Sequence, residues 1–167
     1  KQPRRHKISA EPVYQDDGEG FDPSKVKPIQ GRCQELEKEY FRLNEVPSPD
    51  VVRPEPVLRR ALARLKRRFA ETPVEERQAD YEAYMWTQLK AIRQDLLVQH
   101  LWNDLVIDVY ETHARIALEC RDLNEYNQCQ TQLMEHYRSG LQGSVYEFHA
   151  YRLLYYVYLQ SNPKYQE

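Results

Sequence analysis

An all-α fold, an irregular helical-repeat stack of the TPR-like kind, is predicted by three features of this 167-residue chain. Apolar residues recur at steps of three and four over several separate stretches, the spacing that gathers them on one face of a helix. Five glycines beside ten prolines leave little material for the many tight turns of a β-sandwich. Helix-start signals, a capping residue followed three positions later by an acid, stand at Thr72, Asp122 and Ser144. With 41% hydrophobic and 30% charged positions, the chain can fill one core or about three to four stacked helical hairpins.

Residues 1–30 hold four prolines and no sustained periodicity, so they read as an extended arm, basic at Lys1, Arg4, Arg5, His6 and Lys7 and acidic at Asp16, Asp17 and Glu19. The basic start fits a nuclear-targeting or nucleic-acid tail. A first helix is predicted from about Gly31 to Asn44, because Cys33, Leu36, Tyr40 and Leu43 share a face, with Pro47 and Pro49 ending it. Pro54 and Pro56 suit a first helical turn, and Leu58, Leu62, Leu65 and Phe69 form the inward stripe of the second helix. Thr72-Pro73-Val74-Glu75 then opens a third as a capping box, burying Met85, Leu89, Ile92 and Leu96, with a turn expected near Leu101. Three more helices follow over about 102–120, 123–138 and 144–160, the last after a stop at Gly140 and Gly143. Short connections make neighbours antiparallel, which gives a helical-repeat domain over 31–160 and leaves 161–167 as the start of a further segment.

Polar residues interrupt the apolar stripes. Trp102, Leu105, Val106, Val109, His113, Ile116, Ala117 and Cys120 form one stripe with an imidazole in its middle. Tyr126, Gln130, Leu133 and Tyr137 form another with an amide pointing inward. Such groups must find partners inside, and they act as register keys between neighbouring helices. Four are singled out: Arg93 and Asp95, at opposite margins of the helix that buries Ile92 and Leu96, and His113 and Gln130, whose side chains are expected to bond each other or a backbone carbonyl. Glu111, Arg115 and Glu119, spaced by four, read as a solvated ladder in preference to a partner contact. The last helix is apolar on nearly every side, so burial on most sides is expected, by a segment beyond Glu167 or by another chain, with Phe148, Tyr151, Tyr155 and Tyr158 as a packing or partner face.

Net charge is −2, but residues 53–68 alone carry +6 and leave −8 elsewhere. Arg53, Arg60, Arg64, Arg67 and Arg68 are read as one stripe opposite Leu58, Leu62 and Leu65, open to phosphates, to an acidic protein or to solvent alone. Cys33, Cys120 and Cys129 form no close pair and read as reduced core thiols inside a cell. Together with His113 and His136 they match no zinc spacing, and no glycine-rich loop, nucleophile elbow or H-E-x-x-H motif occurs, so neither an enzyme nor a bound cofactor or metal is expected. No apolar run is long enough to predict a membrane span.

Three phrases carry a resemblance: Ile92-Arg93-Gln94-Asp95-Leu96-Leu97-Val98-Gln99, then Val109-Tyr110-Glu111-Thr112-His113-Ala114-Arg115-Ile116-Ala117-Leu118-Glu119, then Asn127-Gln128-Cys129-Gln130-Thr131-Gln132-Leu133. With Glu147-Phe148 and Tyr151-Arg152-Leu153-Leu154-Tyr155, the chain resembles the GANP-type (SAC/GANP) family of PCI-domain scaffolds in messenger RNA biogenesis. The run Cys33-Gln34-Glu35-Leu36-Glu37-Lys38, with Tyr40, Arg42-Leu43, Pro47, Pro49 and Val52-Arg53-Pro54, is similar to the leukocyte-receptor-cluster branch, whose yeast relative pairs with a signalosome-like PCI protein. The resemblance implies a non-enzymatic nuclear scaffold serving transcription elongation, splicing and export of mRNA, built from helical repeats followed by a winged helix. It also implies a heterodimer with a second PCI-domain protein, a small acidic proteasome-lid-type subunit held by that partner, and nucleic acid bound by the full assembly. The winged helix would lie beyond the residues of this chain, and direct nucleic-acid binding through the basic helix 53–68 is the alternative.

Overall fold

The computed structural model describes residues 22–162, and within them the architecture is helical with no strand. The α-helices are α1 (Glu55–Glu71), α2 (Arg77–Asp80), α3 (Trp86–Val98), α4 (Asp104–Glu119), α5 (Leu123–Arg138) and α6 (Val145–Ser161). A π-helical turn over Tyr81–Met85 joins α2 to α3 without a break, so the predicted third helix is one rod with an inserted residue. None of these helices is long and apolar enough to cross a membrane.

Residues 31–44 are extended, which corrects the predicted first helix. Their backbone is bonded by side chains of distant elements instead of by its own carbonyls. Lys38 N–H donates to Gln88 Oε1 at 3.0 Å and Tyr40 N–H to Thr87 Oγ1 at 2.9 Å. Gln94 Nε2 donates to the Phe41 carbonyl at 2.8 Å, and Arg53 Nη1 to that of Leu36 at 3.1 Å. The segment thus lies along α3, with Cys33, Leu36, Tyr40 and Leu43 half-buried beneath it. Gly31 is required where the segment begins, because a Cβ there would run into the Val52 carbonyl. Upstream, Ile29 N–H bonds the Val98 carbonyl at 3.0 Å, and the rest of the predicted arm, residues 1–21, lies outside the described residues, as do 163–167.

Helices α3, α4 and α5 each end in the same way. His100, Arg121 and Gly140 adopt left-handed φ values of 51°, 60° and 98°. The next N–H in each case reaches back five residues, Leu101 to Leu96, Asp122 to Ala117 and Leu141 to His136, at 3.1, 2.8 and 3.1 Å. These are Schellman caps, and they turn each helix back on the one before it. Asn103 and Asp122 cap α4 and α5 through Leu105 N–H and Glu125 N–H, as the second capping box predicts. The other two boxes differ from expectation. Thr72 Oγ1 bonds the Arg68 carbonyl at the end of α1, and Ser144 Oγ is engaged by Glu111, so neither hydroxyl caps the helix after it.

The core lies where α1, α3, α4 and α5 meet, around Leu58, Leu62, Met85, Leu89, Ile92, Leu105, Val109 and Leu133. α4 sits at its centre, so Ile107, Tyr110, Thr112 and Ala114 are buried along with the predicted stripe, whereas Trp102 at the helix start is exposed. α6 packs on this assembly along one side only. Phe148, Tyr155 and Leu159 are buried, while Leu153, Leu154 and Val157 are 65, 64 and 51% exposed and Tyr146, Tyr156 and Tyr158 are also open. Among the described residues nothing covers its outer face, so the burial expected on most sides is not supplied within them.

Candidate functional site

Two buried ionic clusters fix the helices that present the chain's surfaces. Asp95, on α3, is fully buried between Arg53 Nε and Lys38 Nζ, each 2.6 Å from one of its oxygens. Gln99, one turn on, donates to the carbonyls of Arg53 and Asp95 at 2.8 and 2.7 Å. This cluster pins the extended segment and the entry to α1 against α3. Arg53 therefore leaves the predicted exposed stripe: Pro54 puts it just before the helix, and its guanidinium turns inward to a carboxylate.

On the opposite side of α3, Arg93 Nη1 stands among Glu125 Oε1 at 2.5 Å, Cys129 Sγ at 2.9 Å and His113 Nδ1 at 3.3 Å. Trp86 Nε1 donates to the second Glu125 oxygen at 3.0 Å, and Lys90 Nζ lies 3.6 Å from it. Burial, then the charge of Arg93, holds the His113 imidazole down at about 3, so it is neutral at physiological pH. Burial pushes the Cys129 thiol up to about 12. Burial also pushes the Glu125 carboxyl upward, but Arg93 beside it outweighs that and leaves it below its ordinary value. Among the described residues His113, Glu125 and Cys129 are the set with metal-ligating spacing, and a guanidinium fills the point on which they converge. A neutral imidazole, a protonated thiol and a paired carboxylate around an arginine make a lock between α3, α4 and α5.

His113 and Gln130 do not meet. Gln130 Nε2 donates to Asn127 Oδ1 at 2.9 Å within its own helix, and His113 Nδ1 lies 3.3 Å from Arg93 Nη1. Glu111 also departs from expectation: it is buried, not part of a solvated ladder. Its carboxylate accepts from Tyr137 Oη at 2.7 Å and from the N–H and Oγ of Ser144 at 2.6 and 2.9 Å. Arg115 bonds Glu111 and Glu147 at 3.0 and 2.7 Å, and Glu119 pairs with Arg77. The Glu111 group thereby ties the α5–α6 loop and the first turn of α6 to α4. Glu111 and Glu125 are the residues sequence reasoning undervalued; the available signal was that each lies on or beside an inward stripe.

The basic helix is largely paired. Arg59 bonds Glu55 and Asp104, Lys66 bonds Asp108, Arg64 pairs with Glu37, and Arg68 pairs with Asp80 while lying over the Tyr84 ring. Arg60 and Arg67 are exposed and hold no ion pair among the described residues. Of the predicted aromatic face, Phe148 and Tyr155 are buried, Tyr151 is half-buried and Tyr158 is open. The open surface of α6 is instead built by Leu153, Leu154, Val157 and Tyr158.

The sequence profile described as the SAC3/GANP family matches residues 25–166. A fission yeast (Schizosaccharomyces pombe) protein named THP3 homolog C2A9.11c is 47% identical over 144 residues, covering 84% of this chain and 35% of that protein. SAC3 family protein A of Arabidopsis thaliana is 49% identical over 134 residues, 80% of this chain and 12% of that protein. The Leukocyte receptor cluster member 8 homolog of Xenopus laevis is 45% identical over 134 residues, 80% of this chain and 16% of that protein. The chain thus spans about a third or less of the length of these relatives.

Proposed function

The chain belongs to the SAC3/GANP family, on its leukocyte-receptor-cluster-like branch, and from that premise we propose that it is the helical-repeat part of a non-enzymatic scaffold in nuclear messenger RNA biogenesis. The observation that carries this reading is α6. Its inner side is held to the core through Phe148, Tyr155 and the Arg115–Glu147 pair, and its outer side offers Leu153, Leu154 and Val157 to solvent. A contiguous apolar helix face on an otherwise charged protein marks an association surface. A further amphipathic helix is its natural occupant, packing ridges into the grooves that these residues form. The assembly built there is a heterodimer with a second PCI-domain protein, which itself holds a small acidic proteasome-lid-type subunit, and the whole engages mRNA. Transcription elongation, splicing and export are the steps that such an assembly serves.

The reading is tested by coexpressing a full-length family member with its PCI-domain partner and replacing the residues equivalent to Leu153 and Val157 by aspartate. Loss of the partner from the purified complex, with the helical content of the protein unchanged, is expected. Retention of the partner at wild-type stoichiometry would refute the role assigned to α6.

A further inference from the structure

A groove of about 1150 Å³ runs between the second half of α1 and α2 with the π turn, far in sequence from α6. On the α1 side it is lined by Arg60, Arg64, Arg67 and Arg68, and small side chains line it on both sides, Ala63 from α1 and Ala79 and Ala83 from the facing rod. From these residues we infer that the groove is a docking site for an acidic, extended peptide segment of a partner protein, carrying carboxylates on one edge and aliphatic side chains on the other.

Three observations select this occupant. Arg60 and Arg67 are exposed without an ion pair among the described residues, although every other basic side chain from Arg53 to Arg68 has one. They stand seven residues apart on one face, about 10 Å, which about three residues of extended chain would span. The three alanines are exposed and leave a trough in which a backbone can approach and aliphatic side chains can settle. Nucleic acid fits less well. Among the described residues no aromatic side chain lines the groove for a base to stack on, and Glu71, Glu76 and Asp80 line it with charge that repels a phosphate backbone. A peptide avoids those acids by placing its own carboxylates only at the arginine wall. The inference goes beyond the scaffold reading and is independent of α6.

The test is selection of a random peptide library displayed on phage against the 167-residue chain, followed by fluorescence anisotropy with the enriched peptide, labelled, and with a labelled oligouridylate. Enrichment of peptides that combine Asp or Glu with Leu, Ile or Val is expected. Binding should weaken by at least about tenfold in the Arg60→Glu/Arg67→Glu variant, whose side chains hold nothing else in place. It should weaken comparably in Ala79→Trp, which fills the trough without altering charge, whereas Leu153→Asp should leave it unchanged. Circular dichroism melts confirm that each variant folds. The inference is overturned by selection of no acidic consensus, by binding that survives Ala79→Trp, or by oligouridylate binding that is tighter than the peptide's and lost in the arginine variant.

Discussion

Replacing Asp95 by alanine should be among the most damaging single changes in this chain. Its two oxygens each lie 2.6 Å from a cation, and both the Asp95 and Arg53 side chains are fully buried. Lys38 is partly exposed and can return to water. Arg53 cannot: its remaining hydrogen bond is to the Leu36 carbonyl, and Nη2 already lacks a partner among the described residues. Leaving one buried charge unpaired costs about 3–5 kcal/mol. For a domain of this size that lowers Tm by roughly 6–20 °C. Removing both charges is a different perturbation, because desolvation of the pair largely cancels its attraction. The double variant Arg53→Met/Asp95→Leu should therefore recover most of the loss, to within about 2 kcal/mol of wild type. Urea unfolding followed by circular dichroism on the four corners of the cycle measures both. A single variant that costs less than about 1 kcal/mol, or a double variant no better than the single, would refute the account of Asp95 as an obligatory partner of a trapped cation.

Other expectations follow from the same geometry. His113 is held neutral in the fold at about 3, below the ordinary histidine value of 6.5, so the unfolded chain binds a proton that the folded one refuses. Its stabilising contribution is complete above pH 6.5 and is lost as pH falls, amounting to about 2 kcal/mol by pH 5. His136, lowered by its burial, adds in the same sense, so urea unfolding from pH 7 to 5 should show a shallower slope for His113→Gln than for wild type; an identical slope would contradict the assignment. Glu111→Ala strands the donors of Ser144 and Tyr137 and should cost about 2–3 kcal/mol, against about 1 kcal/mol for Tyr137→Phe, which removes one bond. Hydrogen exchange of residues 139–145 should rise in Glu111→Ala; unchanged exchange there would contradict the tie between loop and α4. Arg121→Gly relieves a left-handed residue at an exposed helix end and should stabilise by about 0.5–1 kcal/mol in thermal melts, with a destabilising result counting against the cap.

Helices were legible wherever the apolar stripe faced a single core. α1, α4, α5 and α6 lie within a few residues of their predicted spans because Leu58, Leu62 and Leu65, or Val109, Ile116 and Ala117, have nowhere else to go. Residues 31–44 misled because their three-to-four spacing also suits a bent, extended segment, and what decides between the two is a row of polar side chains on α3, some fifty positions away. No local pattern encodes that. The turns after α3 and α4 fall where they are expected, near Leu101 and just before the Asp122 box, although His100 and Arg121 occupy the positions where glycine is the usual stop signal. The polar keys were visible as anomalies on apolar stripes, but their pairing was not. Arg93 chose Glu125 and Cys129, which a capping pattern and a thiol had disguised, and Gln130 stayed within its own helix. Arg53 looked like surface because its neighbours are arginines; only the partner at Asp95 reveals that it is core.

The role of α6 is tested most directly by hydrogen exchange of residues 145–161, read in this chain alone and in the corresponding segment of a full-length family member bound to its PCI-domain partner. The account predicts that amides around Leu153, Leu154 and Val157 become at least about tenfold slower to exchange in the assembly, because a second helix then lies over them. Equal exchange in the two states, with partner binding intact, would show that the assembly is built elsewhere.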